Sequence, residues 1–92
     1  MLKIQRSANG EVVFTLSGRI EGEDVEELQR LLRLEKGGRQ LVFDLNDVTL
    51  VDRDAVNFLR RCEADSVRLK NCPGYIREWI ERENGRMGRR RR

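Results

Sequence analysis

The chain has 92 residues, enough for one small domain with a modest hydrophobic core. Apolar and charged residues each make up 38% of it, and the formal net charge is +3. No apolar run approaches the roughly 20 residues of a membrane-spanning helix, and no N-terminal segment resembles a signal peptide. We therefore expect a cytoplasmic protein.

The positive charge is concentrated at the C-terminus. The last seven residues contain five arginines: Arg86, Arg89, Arg90, Arg91 and Arg92. The remaining chain holds 14 basic and 16 acidic residues, so it is mildly acidic. Residues 1–84 are therefore predicted to form the folded domain, and residues 85–92 a disordered basic tail.

The first half of the chain predicts a β-hairpin followed by a helix. Apolar and polar residues alternate in Leu2–Arg6 and in Val12–Ser17, and Asn9-Gly10 provides the turn between these strands. A helix is predicted from about Glu21 to Leu34, because apolar residues recur at helical spacing. Its acidic residues lie in the first turns and its arginines toward the end, as the helix dipole favours.

The second half predicts two further strand–helix pairs. Gln40–Leu45 is almost continuously apolar and is predicted to be a central strand, with residues 46–51 as a loop. A second helix is predicted over about Arg53–Ala64, a fourth strand over Ser66–Asn71, and a third helix from Pro73 to about residue 83. The third helix should place four large side chains in the core: Tyr75, Ile76, Trp79 and Ile80. The order ββαβαβα predicts a single α/β domain with a mixed β-sheet and helices packed on it.

Catalytic and metal-binding chemistry is not expected in this chain. It contains no histidine, so the commonest general base and any Cys-His zinc site are absent. Four carboxylates could bind a divalent cation, but roles as solvated loop and helix-cap acids explain them better: Asp44, Asp47, Asp52 and Asp54. We therefore predict no cofactor, no metal and no enzyme. Cys62 and Cys72 are expected to be reduced, partly buried thiols, with a disulfide as the alternative.

The segment Leu41–Leu59 carries the clearest motif of the chain. An apolar strand ends in Asp44-Leu45, and after a short connection Asp52-Arg53-Asp54-Ala55 opens a helix. This segment resembles the signature of the STAS domain family (sulfate transporter and anti-sigma factor antagonist). In that family, hydrophobic-hydrophobic-Asp-Leu is followed by hydrophobic-Asp-Ser-Ser/Thr-Gly and a helix. The resemblance covers roughly residues 1–83 and implies the STAS fold and an interaction role in bacterial regulation.

The chain departs from the family pattern in three ways. The connection between the second helix and the fourth strand is only about Ala64-Asp65, the family's last strand and helix are absent, and the phosphorylatable hydroxyl is missing. In family members that act as anti-sigma factor antagonists, a partner kinase phosphorylates the second hydroxyl residue of the motif, which blocks binding. Asp54 occupies that position here, so a kinase cannot switch the chain there. The chain would be constitutive, either resembling the phosphorylated state or using a different interface.

Helix stability is an alternative explanation for both acidic residues of the motif. Asp52 is a favourable N-cap, and Asp54 in the first helical turn gains about 0.3–1 kcal/mol from the helix dipole. Either residue could therefore be present for local stability alone.

The resemblance implies a non-enzymatic module that binds a protein partner, such as an anti-sigma factor, a kinase-like protein or another regulator. Its contact surface would be the Val48–Ala55 loop and the exposed face of the second helix, with these residues: Asp52, Arg53, Asp54, Asn57, Arg60 and Arg61. The alternative is a nucleic-acid-binding or anionic-membrane-associating protein that acts through the five tail arginines. A homo-oligomer paired through an exposed edge strand is also open.

Overall fold

The computed structural model describes residues 2–35 and 38–88. In this part of the chain, strands and helices follow the predicted order ββαβαβα. The strands are β1 (Leu2–Asn9), β2 (Glu11–Ile20), β3 (Leu41–Val51) and β4 (Arg68–Lys70), and the helices are α1 (Gly22–Leu34), α2 (Arg53–Ala64) and α3 (Gly74–Gly88). Among the helices within these ranges, none has the length and apolar character needed to cross a membrane.

The strands form one mixed sheet in the order β1-β2-β3-β4. β1 and β2 form the predicted antiparallel hairpin, and Gly10 at its turn has a φ of 88°, which favours glycine. β2, β3 and β4 are parallel. Because connections between parallel strands are right-handed, α1 and α2 lie on the same face of the sheet. The predicted mixed α/β architecture is confirmed.

The hydrophobic core lies between this face and the helices. Val12, Phe14 and Leu16 of β2 are buried there, as their alternation with polar residues predicted. The ring of Phe14 lies 6.0 Å from that of Phe43 in β3, which in turn lies 6.0 Å from Phe58 of α2. Each such aromatic pair contributes about 0.5–1.5 kcal/mol beyond the area it buries, so the three rings help to hold α2 against the sheet.

The opposite face of the sheet is mainly polar. Every second residue of β1, β2 and β4 lies on this face, in alternation with the core positions. These residues include Lys3, Gln5, Thr15, Ser17 and Lys70. Lys3, Gln5 and Lys70 are exposed. A sheet with one packed and one polar face is the usual solution for a small domain whose helices cover a single side.

β3 differs most from its predicted extent. It was expected to end at Leu45, but it continues to Val51 with Val48 and Val51 buried. Its pairing with β2 shifts register twice, so extra residues of β3 are accommodated in bulges. The prediction of a loop from Val48 to Ala55 is therefore wrong: only Asp52 separates β3 from α2.

α3 is longer than predicted and buries a narrower stripe. It continues to Gly88 instead of ending near residue 83, so residues 85–88 of the expected tail belong to this helix. Ile76 and Ile80 are buried, and Glu83 on the same stripe is only 8% exposed, which anchors the second half of the helix. Arg86 lies on α3, whereas the rest of the predicted tail, 89–92, falls outside the described residues.

The prediction that Tyr75 lies in the core is wrong. Tyr75 is 48% exposed. Successive residues of a helix are rotated by about 100°, so Tyr75 lies outside the buried stripe that begins at Ile76. Trp79 is partly buried and packs against the core cluster, as expected.

Both cysteines are free, as predicted, so the disulfide alternative is not realised. Cys62 in α2 is 5% exposed, and burial raises the pKa of its thiol to about 12, with a smaller lowering by Arg61 and a smaller raising by Asp65. Burial also raises the pKa of the half-buried Cys72 thiol. Both thiols are therefore protonated and unreactive near neutral pH.

The buried Cys62 thiol predicts a loss of stability in alkaline solution. Its pKa is raised from 9.0 in the unfolded chain to about 12 in the folded one, so its contribution is complete below pH 9 and is lost as pH rises toward 12. At a pH of about 10.5 this loss amounts to about 2 kcal/mol. Urea unfolding at about pH 8 and about 10.5 measures it. Between these two pH values, the free energy of unfolding of Cys62→Ala should fall by about 2 kcal/mol less than that of the wild type. Equal losses would contradict the assignment of this effect to the Cys62 thiol.

Candidate partner-binding site

Asp52 joins the ends of four elements. Its Oδ1 accepts a hydrogen bond from the Ala55 backbone N–H at 2.9 Å, which caps α2. Its Oδ2 accepts from the Gly22 N–H at 2.9 Å, at the first residue of α1, and its own N–H donates to the carbonyl oxygen of Ile20 at 3.3 Å. Asp52 therefore ties the β3–α2 corner to the β2–α1 corner. The predicted N-cap role is confirmed, and the bond to Gly22 is an addition.

Asp54, for which the resemblance implies the position of a phosphorylated hydroxyl, lies against the start of α1. A methyl group placed on Gly22 would lie 2.7 Å from Asp54 Oδ2 and 3.2 Å from its Cβ. This spacing is shorter than van der Waals contact, so Gly22 is the residue that lets the two helix N-termini approach each other. Sequence patterns do not indicate this contact, because Gly22 and Asp54 are 32 positions apart.

The carboxylates at this junction lie where two helix dipoles present their positive ends. Asp24 in the first turn of α1 accepts a hydrogen bond from the Glu21 N–H at 2.9 Å. Asp52 and Asp54 lie at the N-terminus of α2 and beside that of α1. Each N-terminus carries roughly half a positive charge, so together the two offset about one of these three negative charges.

The arginines of α2 are not balanced in this way. Arg53 and Arg61 are exposed, and Asn57 and Arg60 are half-buried on the outer side of the helix. None of these three arginines forms an ion pair with any residue in 2–35 or 38–88. Within the same ranges, the Nε of Arg60 is buried without a hydrogen-bond partner. On the α3 side of the helix, by contrast, Glu63 accepts two bonds from Arg77 at 3.0 and 2.9 Å.

Leu50 is an exposed apolar residue at this corner that the sequence did not reveal. It is 48% exposed and lies two residues before Asp52, at the end of β3. The register shift between Gly18 and Arg19 places Leu50 opposite Arg19, while Val51 turns inward. We use the name corner surface for the exposed or half-buried residues at this strand–helix corner and on the outer face of α2: Leu50, Asp52, Arg53, Asp54, Asn57, Arg60 and Arg61.

The other two acidic residues of the motif region serve local structure. Asp44 Oδ1 accepts hydrogen bonds from the Asn46 N–H at 3.1 Å and from Asn71 Nδ2 at 3.2 Å. Asp47 Oδ1 accepts from Asn46 Nδ2 at 3.1 Å. Neither is bonded to the Asp52 junction, and no metal-binding group of three or more such side chains occurs in the described ranges.

Comparison with known proteins identifies the fold. No family model and no curated protein sequence matches the chain. A protein of the DUF3478 family from Shewanella loihica PV-4, described as having a SpoIIAA-like fold, superposes with a TM-score of 0.54 at 14% identity, over 94% of this chain and 79% of that one. The chain therefore has a SpoIIAA-like, or STAS-like, α/β fold, which confirms the fold that the motif implied.

A second similar structure belongs to a longer protein. The crystal structure of Mglu matches with a TM-score of 0.54 and 27% identity over 77% of this chain, but over only 19% of Mglu. The chain thus spans about a fifth of the length of that protein.

The two bonds of Asp52 predict a graded loss of stability. Asp52→Asn keeps one oxygen to cap α2 but cannot accept from both Ala55 and Gly22, and should cost about 1 kcal/mol. Asp52→Ala loses both bonds and should cost about 2 kcal/mol. Urea denaturation measures both. Asp47→Ala, an exposed acid outside the junction, should stay within about 0.5 kcal/mol of wild type. Wild-type stability of Asp52→Asn would argue against the bond to Gly22.

The contact between Gly22 and Asp54 predicts energetic coupling. Gly22→Ala should destabilise the wild type by about 1 kcal/mol, because the new methyl group overlaps the Asp54 carboxylate. In an Asp54→Ala background the same change should be neutral or stabilising by up to about 1 kcal/mol, since alanine favours helix. A double-mutant cycle in urea gives the coupling, expected to be about 1–2 kcal/mol. Additive effects would show that the two helix N-termini lie farther apart.

Proposed function

We propose that the chain is a non-enzymatic, STAS-like interaction module of bacterial regulation that binds a protein partner through the corner surface. The SpoIIAA-like fold supports the class of protein. The absence of histidine from the chain supports a role in binding instead of acid–base catalysis. The match to a fifth of Mglu is compatible with a module that also occurs within longer chains.

The observation that carries the proposal is the way Asp52 fixes the corner. By accepting from both Ala55 and Gly22, it holds the exposed Leu50 at the end of β3 close to the exposed Arg53 and Asp54 in the first turn of α2. A preformed surface of this kind binds with a smaller loss of conformational entropy than a flexible loop. An exposed apolar residue surrounded by charged side chains is a common arrangement at protein interfaces.

The proposed module acts without a kinase at this site. Asp54 stands at the position of the phosphorylated hydroxyl of STAS-type antagonists and carries a charge that no phosphatase removes. Its carboxylate lies over Gly22, so the charge is part of the contact between α1 and α2. Partner binding would then be controlled by the amount of either protein, not by modification of Asp54.

Affinity capture from a nuclease-treated native lysate tests the proposal. Leu50→Glu and Arg53→Glu should each reduce recovery of the protein partner at least about tenfold, because they alter the exposed corner without removing a core contact. Lys3→Glu makes the same charge change as Arg53→Glu on the opposite face of the sheet and should leave recovery unchanged. A chain that ends at Gly88 keeps all of α3 and should also retain the partner.

Two results would contradict the proposed function. Recovery of the same partner at wild-type level by both Leu50→Glu and Arg53→Glu would exclude the corner surface. Recovery of only lipid from this lysate, or of only nucleic acid from an untreated one, would favour the arginine-tail alternative if it is lost when residues 89–92 are removed.

A further inference from the structure

The corner surface contains three arginines and two aspartates, so its formal net charge is +1. Asp52 is exposed, and both of its carboxylate oxygens accept hydrogen bonds from backbone N–H groups. Asp54 is exposed and lies beside Gly22, near the positive ends of two helices. The positive charges of this surface are the three guanidinium groups of α2.

Those guanidinium groups lack internal partners. Arg53, Arg60 and Arg61 follow one another along the outer side of α2, and none is ion-paired within the part of the chain that the structure describes. Arg60 has, in addition, a buried Nε–H that donates to no acceptor there. A carboxylate supplied by another molecule would give these guanidinium groups the partner that they lack.

An open groove adjoins this row of arginines. It lies between α1 and α2, has a volume of about 290 Å³, and is lined in part by the apolar Leu32 and Phe58. Arg33 and Arg61, both exposed, also line it, together with Asp65. Leu50 adds a separate exposed apolar side chain at the other end of α2. The surface thus combines unpaired positive charge with places for apolar side chains.

We infer that the corner surface recognises an acidic, amphipathic segment of its protein partner, whose carboxylates pair with Arg53, Arg60 and Arg61. The inference rests on the proposed function and specifies the chemistry of the partner. Arginine suits this role, because its planar group binds a carboxylate through two parallel hydrogen bonds. The apolar side chains of the segment would pack on Leu50 and in the groove beside Leu32.

A protein fits this surface better than a nucleic acid does. The exposed side of the neighbouring α1 carries Glu23, Glu26 and Glu27, which would repel a continuous line of phosphates. The exposed aromatic residue Tyr75 lies on α3, away from the arginine row, so the row has no aromatic platform for stacking bases. A segment with localised carboxylates can pair with α2 while avoiding the glutamates of α1.

Defined probes test the inference with the full-length chain. The first probe is a short amphipathic helical peptide with Leu on one face and Glu on the other, and the second has Gln in place of every Glu. The third is single-stranded DNA. Fluorescence anisotropy should show the Glu peptide bound at least about tenfold more tightly than the Gln peptide at about 0.05 M salt. The difference should shrink at about 0.3 M salt, because screening weakens exposed ion pairs.

Variants locate the binding on α2. The double variant Arg53→Glu with Arg60→Glu should lower the affinity for the Glu peptide at least about tenfold. Lys3→Glu combined with Lys70→Glu makes an equal charge change on the opposite face of the sheet. This control should change the affinity for the Glu peptide less than about twofold. Arg60→Gln is the milder variant if the double reversal disturbs folding, which circular dichroism checks. Arg60→Gln should lower the affinity for the Glu peptide and leave the affinity for the Gln peptide unchanged.

Three outcomes would overturn the inference. These are equal affinity for the Glu and Gln peptides, tighter binding of DNA than of the Glu peptide, or equal losses in the α2 and sheet-face variants. If one of these occurs while Arg53→Glu and Leu50→Glu still lose the lysate partner, the proposed function stands and only the acidic chemistry of the partner is wrong. If the lysate partner is also retained by those variants, both fail.

Discussion

The carboxylate of Asp52 is the constraint on which the arrangement of the site depends. Two backbone N–H groups, at Ala55 and Gly22, donate to its two oxygens, and the backbone N–H of Asp52 bonds to the end of β2. Bonds from backbone N–H groups to a carboxylate are about twice as strong as neutral ones. One short side chain thereby fixes the relative positions of β2, β3 and the N-termini of α1 and α2. Gly22 suits this junction, because a Cβ at this position would lie 2.7 Å from Asp54 Oδ2 and the Asp54 side chain would have to shift.

The same bonds give the two exposed aspartates of the motif different surroundings. Both oxygens of Asp52 accept from backbone N–H groups, so Asp52 holds the junction together. Asp54 lies beside Gly22 at the start of α1. On the outer side of α2, three arginines have no ion pair within residues 2–35 and 38–88: Arg53, Arg60 and Arg61.

Other arginines of the chain show the contrast. Arg6 of β1 donates to both oxygens of Glu35 at 2.8 and 3.0 Å, which raises the pKa of Arg6 and lowers that of Glu35. Arg77 joins α3 to Glu63 of α2 in the same bidentate way, and this bond raises the pKa of Arg77. Such exposed or half-exposed pairs contribute little stability individually, but they connect peripheral elements to the domain. Arg6 and Arg77 therefore have partners, whereas the arginines of the corner surface have none within residues 2–35 and 38–88, as is also true of Arg19, Arg33, Arg39 and Arg82.

The sequence by itself determined the order of elements, the mixed sheet, the buried stripe of β2 and the bounds of α2, because these depend on local periodicity and on capping residues close in the chain. It also determined that Asp52 begins α2, since an N-cap bond spans only three residues. Tertiary structure alone decided the contact between Gly22 and Asp54, the second bond of Asp52, the exposure of Leu50 and the length of β3. Each of these depends on register shifts between β2 and β3 or on the approach of two helices, which join residues about 30 positions apart. Periodicity along one segment carries no information about such distances, so only the packed domain could show that Asp52 bonds to the start of α1 as well as to that of α2.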